Sequence, residues 1–347
     1  MKGVNLGNWL VLEKWMDPSL FETYAVEDEM SFHHFVDLET RKKVIQTHRD
    51  LYIQEEDFQF IADQGYELIR LPIPFFVFGD YPPYIGCLKE LDQAFLWARK
   101  HHLKLLLDLH TVPGSQNGFD NGGQLGVCSW AKDAKAVEFS YTVLERLAKR
   151  YGHHPQLWGI EVLNEPVSFF VALTSQSRSF SKAFDFVSLP FLKQFYRKSY
   201  SILRPLLARE KKIVFHDGFR FHRWQAFFDS MEGAILDTHV YLTIFPSFLP
   251  IHSPWFYRLY LRWKDFFFTW FENHHIPVLI GEWCLSNRYV DQSGKEEFYP
   301  LIAKIQQEIY QKHAGSCFWN YRLYSRGKKE VMKGWSFRQA IQKNWLS

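Results

Sequence analysis

A chain of 347 residues, 47% of them apolar, is long enough for one large α/β barrel, for which about 250 residues is typical, or for two ordinary domains. A net charge of +3, with no basic stripe interleaved with aromatics, excludes a nucleic-acid-binding role. Membrane-spanning chains are excluded too: the most aromatic segment, 255–271, carries Arg258, Arg262 and Asp265 at helical spacing and reads as an amphipathic helix.

In chain order, runs that read as buried parallel strands fall at 2–7, 66–71, 103–109, 157–163, 212–215, 233–238, 277–280 and 316–318. Helix-like segments lie between them at 88–100, 134–151, 190–209, 255–274 and 296–313. Eight strands alternating with helices, without a glycine-rich phosphate loop, predict a (β/α)8 TIM barrel. No linker composition or internal repeat divides the chain, so residues 1–347 are expected to form a single catalytic domain.

The ends of these strands carry the functional signal. They finish in Arg70, in Asp108 and His110, in Asn164 and Glu165, in His216 and Asp217, in His239 and Tyr241, in Glu282, and in Trp319 and Asn320. A barrel gathers its C-terminal strand ends on one face, where active sites of this fold are built. Two long connections, 167–189 and 242–254, follow strands on that face and read as loops that shape substrate access; the second contains Phe245, Pro246, Phe248 and Pro250.

Two of the endings are glutamates, in Asn164-Glu165-Pro166 and Gly281-Glu282-Trp283. A carboxylate at the end of a core strand is costly unless something uses it. Two of them on separate rigid strands supply what cleavage of a glycosidic bond needs, a proton donor and a nucleophile. The aromatic share is 18%, with 13 Trp and 33 Phe; most of these rings must be core, and a minority could stack on pyranose faces.

The four cysteines (Cys87, Cys128, Cys284 and Cys317) show no CxxC spacing and read as free thiols. The histidine pairs His33-His34, His101-His102, His153-His154 and His274-His275 read as surface residues at helix ends or loops, so no metal site and no cofactor is expected. The chain opens Met1-Lys2-Gly3-Val4-Asn5-Leu6, with no apolar signal region or cleavage site; the expected compartment is the cytoplasm, or the exterior if a leader has been trimmed.

With these strings in place the sequence resembles glycoside hydrolase family 5, and within it the exo-1,3-β-glucanase and β-glucosidase branch. The opening string from Lys2 to Glu13, Pro18-Ser19-Leu20-Phe21-Glu22, and Pro113-Gly114-Ser115-Gln116-Asn117-Gly118-Phe119-Asp120-Asn121 all look like that branch. The resemblance implies Glu165 as acid/base and Glu282 as nucleophile. It implies Asn164 on the sugar 2-hydroxyl and Trp319 as the platform beneath the glucose at the cleavage subsite. Arg70, His110, His239 and Tyr241 match residues around the two carboxylates, and Asn121 is counted with the substrate-binding residues. Glu13 matches a residue that binds the terminal glucose and helps close the pocket, and Phe119 an aromatic on the leaving-group side. The chain departs from the branch where an aromatic pairs with the Phe119 position: register places Ile244 there.

The expected chemistry is a two-glutamate double displacement with retention, acting on terminal β-D-glucosyl residues of a β-glucoside or β-glucan oligosaccharide. Arg70 and Tyr241 are expected to hold Glu282 ionised, and the Glu282 charge to raise the pKa of Glu165. Two other readings stand beside it. One is an intracellular glycosidase for a phosphorylated or lipid-linked glucoside, suggested by the aromatic loops and the basic residues Arg322, Arg326, Lys328 and Lys329. The other is a non-catalytic carbohydrate-binding barrel. Nothing in the sequence fixes the oligomeric state.

Overall fold

The computed structural model describes residues 1–174, 185–243, 253–324 and 333–346. Eight parallel strands, β1 (Lys2–Asn5), β2 (Leu68–Ile73), β3 (Lys104–Leu109), β4 (Leu157–Glu161), β5 (Lys212–His216), β6 (Ala234–Leu242), β7 (Val278–Asn287) and β8 (Gly315–Phe318), pair in chain order, and β8 closes back on β1. The described helices are α1 (Pro18–Thr23), α2 (Glu29–Phe35), α3 (Leu38–Tyr52), α4 (Glu55–Asp63), α5 (Leu88–Lys100), α6 (Ala134–Tyr151), α7 (Phe169–Thr174), α8 (Leu189–Leu203), α9 (Pro254–Asn273), α10 (Arg288–Ser293), α11 (Tyr299–Tyr310) and α12 (Phe337–Gln342). This is the (β/α)8 barrel that the alternation predicts. No described helix is long and apolar enough to cross a membrane.

Local chemistry starts the helices where they start. The Asp133 side chain accepts the amides of Lys135 and Ala136 at the head of α6, and Lys149 and Arg150 sit in its last turn, where the helix dipole favours cations. Ser188 and Ser253 accept the Phe191 and Phe256 amides ahead of α8 and α9, each with proline in the first turn. The α8 helix stops at Leu203, short of the 209 expected, as Pro205 in the following turn cannot continue it.

Side-chain alternation along the strands builds the inside of the barrel. Leu68, Leu106, Val214, Ile235, Leu279 and Cys317 form one buried apolar cluster near the N-terminal strand ends. Two residues further along each strand, on the same face, stand Arg70, Asp108, His216, Asp237, Gly281 and Trp319. One step of the pleat therefore takes the interior from an apolar plug to a polar layer, which faces the end where the site lies.

Several expectations are corrected. Strands β6 and β7 do not stop at 238 and 280: they stay paired as far as Leu242 and Asn287 through two register shifts. His239, Tyr241 and Glu282 are thus strand residues, not residues beyond strand ends. The stretch from 18 to 63, assigned no element from sequence, folds as α1 to α4, and α7 occupies part of the connection expected to be loop. His33 is not a surface residue. It is fully buried, with ring centroids 5.2 Å from Phe76 and 4.7 Å from Tyr84, and burial beside Arg41 and Arg49 lowers its pKa to about 3.

Candidate active site

The polar layer is organised by Arg70, which is completely buried on β2. Its Nε donates to Glu161 at 2.8 Å, one terminal nitrogen to Asn5 at 3.0 Å and Glu282 at 2.9 Å, and the other to Asn164 at 2.9 Å, with Asp108 as an ion-pair partner at 3.1 Å. A guanidinium has five N–H donors, and four of them are engaged in these hydrogen bonds. Burial alone would lower the Arg70 pKa, but Asp108, Glu161 and Glu282 hold it well above its ordinary value. Removing one partner of such a buried charge cluster costs about 3–5 kcal/mol, because the others are left uncompensated.

Glu282, on β7, takes its second hydrogen bond from the Tyr241 hydroxyl at 2.5 Å. Glu165 lies four residues past the end of β4, with a left-handed backbone (φ 41°) that turns its carboxyl back over the barrel mouth. There it receives the Asn121 amide at 2.7 Å and bonds His239 Nδ1 at 2.7 Å. The same Nδ1 lies 3.3 Å from Glu282 Oε2. One ring nitrogen within 3.3 Å of both carboxylates keeps those two oxygens closer than the ~6.5–9.5 Å separation of inverting glycosidases.

The charges differ from those expected. Burial would lower the pKa of His239, but Glu282, Asp237 and Glu165 together hold it well above the ordinary 6.5. Burial pushes Glu165 up, yet the hydrogen bonds and charge of His239, with the Asn121 amide, bring it below 4.5. Glu282 goes the other way: burial raises it, with Glu165 adding to the rise, against the pull of His239 and Arg70. The expectation of a raised Glu165 and an easily ionised Glu282 is therefore reversed. The reason is His239, whose Nδ1 is in contact with both carboxylates and whose own pKa they raise.

The pocket walls are aromatic and acidic. His110, held by Asp108 at 2.5 Å, stacks parallel to Trp319 with centroids 5.6 Å apart. Trp319 lies flat because residue 7 is glycine: a Cβ there would come within 2.7 Å of the indole. Trp335 packs against Tyr241 at 5.2 Å and Trp15 at 5.3 Å. The Trp15 indole N–H donates to Glu13 Oε2 at 2.8 Å, while Glu13 Oε1 is buried without a partner among the described residues. Burial and the nearby Asp120 carboxylate raise the Glu13 pKa well above 4.5, and both Glu282 and Glu165 are close enough to add to the shift.

Of the residues singled out in the sequence, Arg70, His110, Asn164, Tyr241 and Glu282 share one set of hydrogen bonds and Asn121, Glu165 and His239 another, and the 3.3 Å contact of His239 with Glu282 brings the two sets together. Glu13 and Trp319 line the same space. Phe119 stands half-buried two residues before Asn121, and no contact joins it to either glutamate among the described residues. Ile244, Phe245, Phe248, Arg326, Lys328 and Lys329 lie outside the described residues. Arg322 is not part of an open basic stretch, being buried on Asp57 at 2.5 Å.

Sequence reading missed Glu161, Asp237, Asn5, Trp15 and Trp335. The first three sit inside strands one pleat step from apolar residues, so the period of two could have found them. Trp15 and Trp335 arrive on connections and leave no such signal. Two carboxylate–imidazole groups, Glu165–His216–His239 and Glu161–Asp237–His239, have the donor types of a metal site. Both include His239, whose Nδ1 already lies within 3.3 Å of both Glu165 and Glu282.

Comparison with known proteins gives this geometry its relatives. Residues 31–169 match the family model described as cellulase (glycosyl hydrolase family 5). The chain is 36% identical to a probable glucan 1,3-beta-glucosidase A of Emericella nidulans over 248 residues, covering 70% of this chain but 57% of that one. It is 32% identical to glucan 1,3-beta-glucosidase I/II of Saccharomyces cerevisiae, covering 70% and 55%. Against a glucan 1,3-beta-glucosidase of Kluyveromyces lactis it is 27% identical, with 99% and 87% covered. The chain thus aligns with little more than half of the first two relatives' length. Among solved structures it superposes on a rutinosidase from Aspergillus niger with a TM-score of 0.81, at 19% identity and over 100% of this chain and 97% of that one, a likeness of fold.

Proposed function

The chain belongs to glycosyl hydrolase family 5, and from that premise we propose that it is a retaining, exo-acting β-glucosidase of the glucan 1,3-β-glucosidase kind. Residues 1–347 are read as one catalytic unit, since the segment 333–346 returns to the barrel through Asn320–Trp335 and Phe337–Asn320 backbone bonds. The observation that carries the reading is His239 Nδ1 reaching Glu165 at 2.7 Å and Glu282 at 3.3 Å.

In this reading Glu282, aimed by Arg70 and Tyr241, attacks the anomeric carbon of a terminal glucose stacked on Trp319. The departing oxygen takes a proton from the Glu165–His239 pair, with Glu165 as the group in contact and His239 as its reserve. The pair has then given up its one acidic proton, so that in the glycosyl-enzyme His239 is neutral and Glu165 is a carboxylate. Glu165, again a carboxylate, takes a proton from the water that completes hydrolysis. Asn164 is placed for the sugar 2-hydroxyl and Glu13 for hydroxyls of the terminal glucose; Phe119 is assigned to the leaving-group side. The four cysteines are all free, which suits a reducing compartment such as the cytoplasm.

One panel tests the reading: an aryl β-glucoside, its 6-phosphate and laminari-oligosaccharides, with products identified. Cleavage of the plain glucoside and release of glucose from oligosaccharides are expected. Activity on the 6-phosphate alone would replace this reading with one for a modified glucoside, and no activity on any member would favour a binding barrel.

A further inference from the structure

Helix α9 turns an unusual face to solvent. Trp255, Leu259, Trp263 and Phe266 are 73%, 53%, 55% and 66% exposed. At about 100° per residue these four positions fall within one quarter of the helix circumference, a continuous stripe three turns long. Arg258 and Arg262, also exposed, run along one edge of it. Meanwhile the half-buried Lys264 is turned to the barrel, near Asp217. An ordinary barrel helix would place these residue types the other way round.

The acids of this helix are already engaged. Asp265 is held by Lys312 at 2.7 Å and His313 at 3.2 Å, and Glu272 by His313 at 3.0 Å. Neither Arg258 nor Arg262 has an ion-pair partner among the described residues. Among the described residues of this helix, the charge left unpaired beside the stripe is therefore positive. A second copy of the chain is a poor occupant: docking the stripe on itself about a two-fold axis would bring four arginines together with no acid to receive them. Aromatic and aliphatic side chains flanked by arginine instead match the interface of a bilayer whose headgroups are anionic.

We propose that the outer face of α9 docks flat on an anionic lipid surface, with Trp255, Leu259, Trp263 and Phe266 entering the headgroup region and Arg258 and Arg262 meeting the lipid phosphates and carboxylates. The helix runs along the barrel wall, so the docked barrel lies on its side and its mouth, with Glu165 and Glu282, stays open to solvent. The docking is independent of the reaction assigned to that mouth.

Flotation of the full chain with vesicles tests it, comparing phosphatidylcholine alone with phosphatidylcholine containing phosphatidylserine. The wild-type chain should float with the anionic vesicles and not the neutral ones, and raised salt should release it. Arg258→Gln with Arg262→Gln should weaken binding by roughly ten-fold or more, the scale for two cations at an anionic surface. Trp263→Ser with Phe266→Ser should abolish it, with an unchanged melting temperature showing that these exposed sites leave the fold intact. Absence of wild-type binding, equal binding to neutral vesicles, or a dimer in light scattering that Trp263→Ser dissociates would each overturn the proposal.

Discussion

Asp237 fills the space that residue 281 leaves by having no side chain. Its Oδ1 accepts the Gly281 amide at 2.6 Å, and a Cβ built on Gly281 would stand 2.0 Å from its Oδ2. The carboxylate therefore clips β6 to β7 one residue before Glu282 and two residues before His239. Gly281→Ala must displace a fully buried carboxylate already fixed by that bond. We expect a loss of about 1–3 kcal/mol in denaturant unfolding, the scale of overpacking a buried site, with activity falling further than stability alone explains. A variant as stable and active as the parent would show that the clip is not needed.

The same carboxylate lies 3.5 Å from His239 Nε2, so it also bears on the pH profile. His239 faces Glu165, Glu282, Asp237 and the neutral ring of His216, 4.4 Å away. Glu282 must be ionised to attack, and its pKa is raised, so kcat/KM should climb through a limb above 4.5. The Glu165–His239 pair must hold a proton, and its anionic neighbours raise His239, so the falling limb should lie above 6.5. Asp237→Asn removes one anion while keeping an acceptor for the Gly281 amide. It should move the falling limb to lower pH and leave the rising limb nearly in place; an unmoved falling limb would take His239 out of the proton path.

Glu165→Gln should slow aryl glucosides with poor leaving groups far more than dinitrophenyl glucoside, since an activated leaving group needs no proton. Equal losses along a series of leaving groups would show that Glu165 is not the acid.

Glu13 predicts the mode of attack. Its Oε1 is buried beside Trp15 without a hydrogen-bond partner among the described residues, as expected of a group that meets a sugar hydroxyl. Laminari-oligosaccharides should lose one glucose at a time, and Glu13→Ala should weaken kcat/KM by roughly 1–3 kcal/mol, the scale of a buried hydrogen-bonding group left without its partner. Laminaribiose as a first product would refute the closed pocket.

Much of this was legible in the chain, for a physical reason. Buried parallel strands are continuous apolar runs, so all eight could be located, and the polar residues that interrupt such runs, from Arg70 to Glu282, are the ones converging at the mouth. Strand length was harder to read. Polar side chains ended the predicted strands, whereas in β6 and β7 they point into a polar barrel interior and pairing continues beyond them. The helices from α1 to α4 are not legible although Asp28 and Asp37 cap two of them: α1, α2 and α4 are only six to nine residues long and α3 is largely polar. Least legible was the charge state of Glu165. It depends on how close His239 comes, and spacing along the chain cannot give that distance.

The central claim is that Glu282 attacks the sugar directly, and Glu282→Ala assayed with azide tests it most directly. The variant should be inactive on dinitrophenyl β-glucoside, and azide should restore turnover by entering the vacated space and attacking from the same face, giving α-glucosyl azide. Substantial activity without azide, or a β-glucosyl azide product, would contradict the assignment.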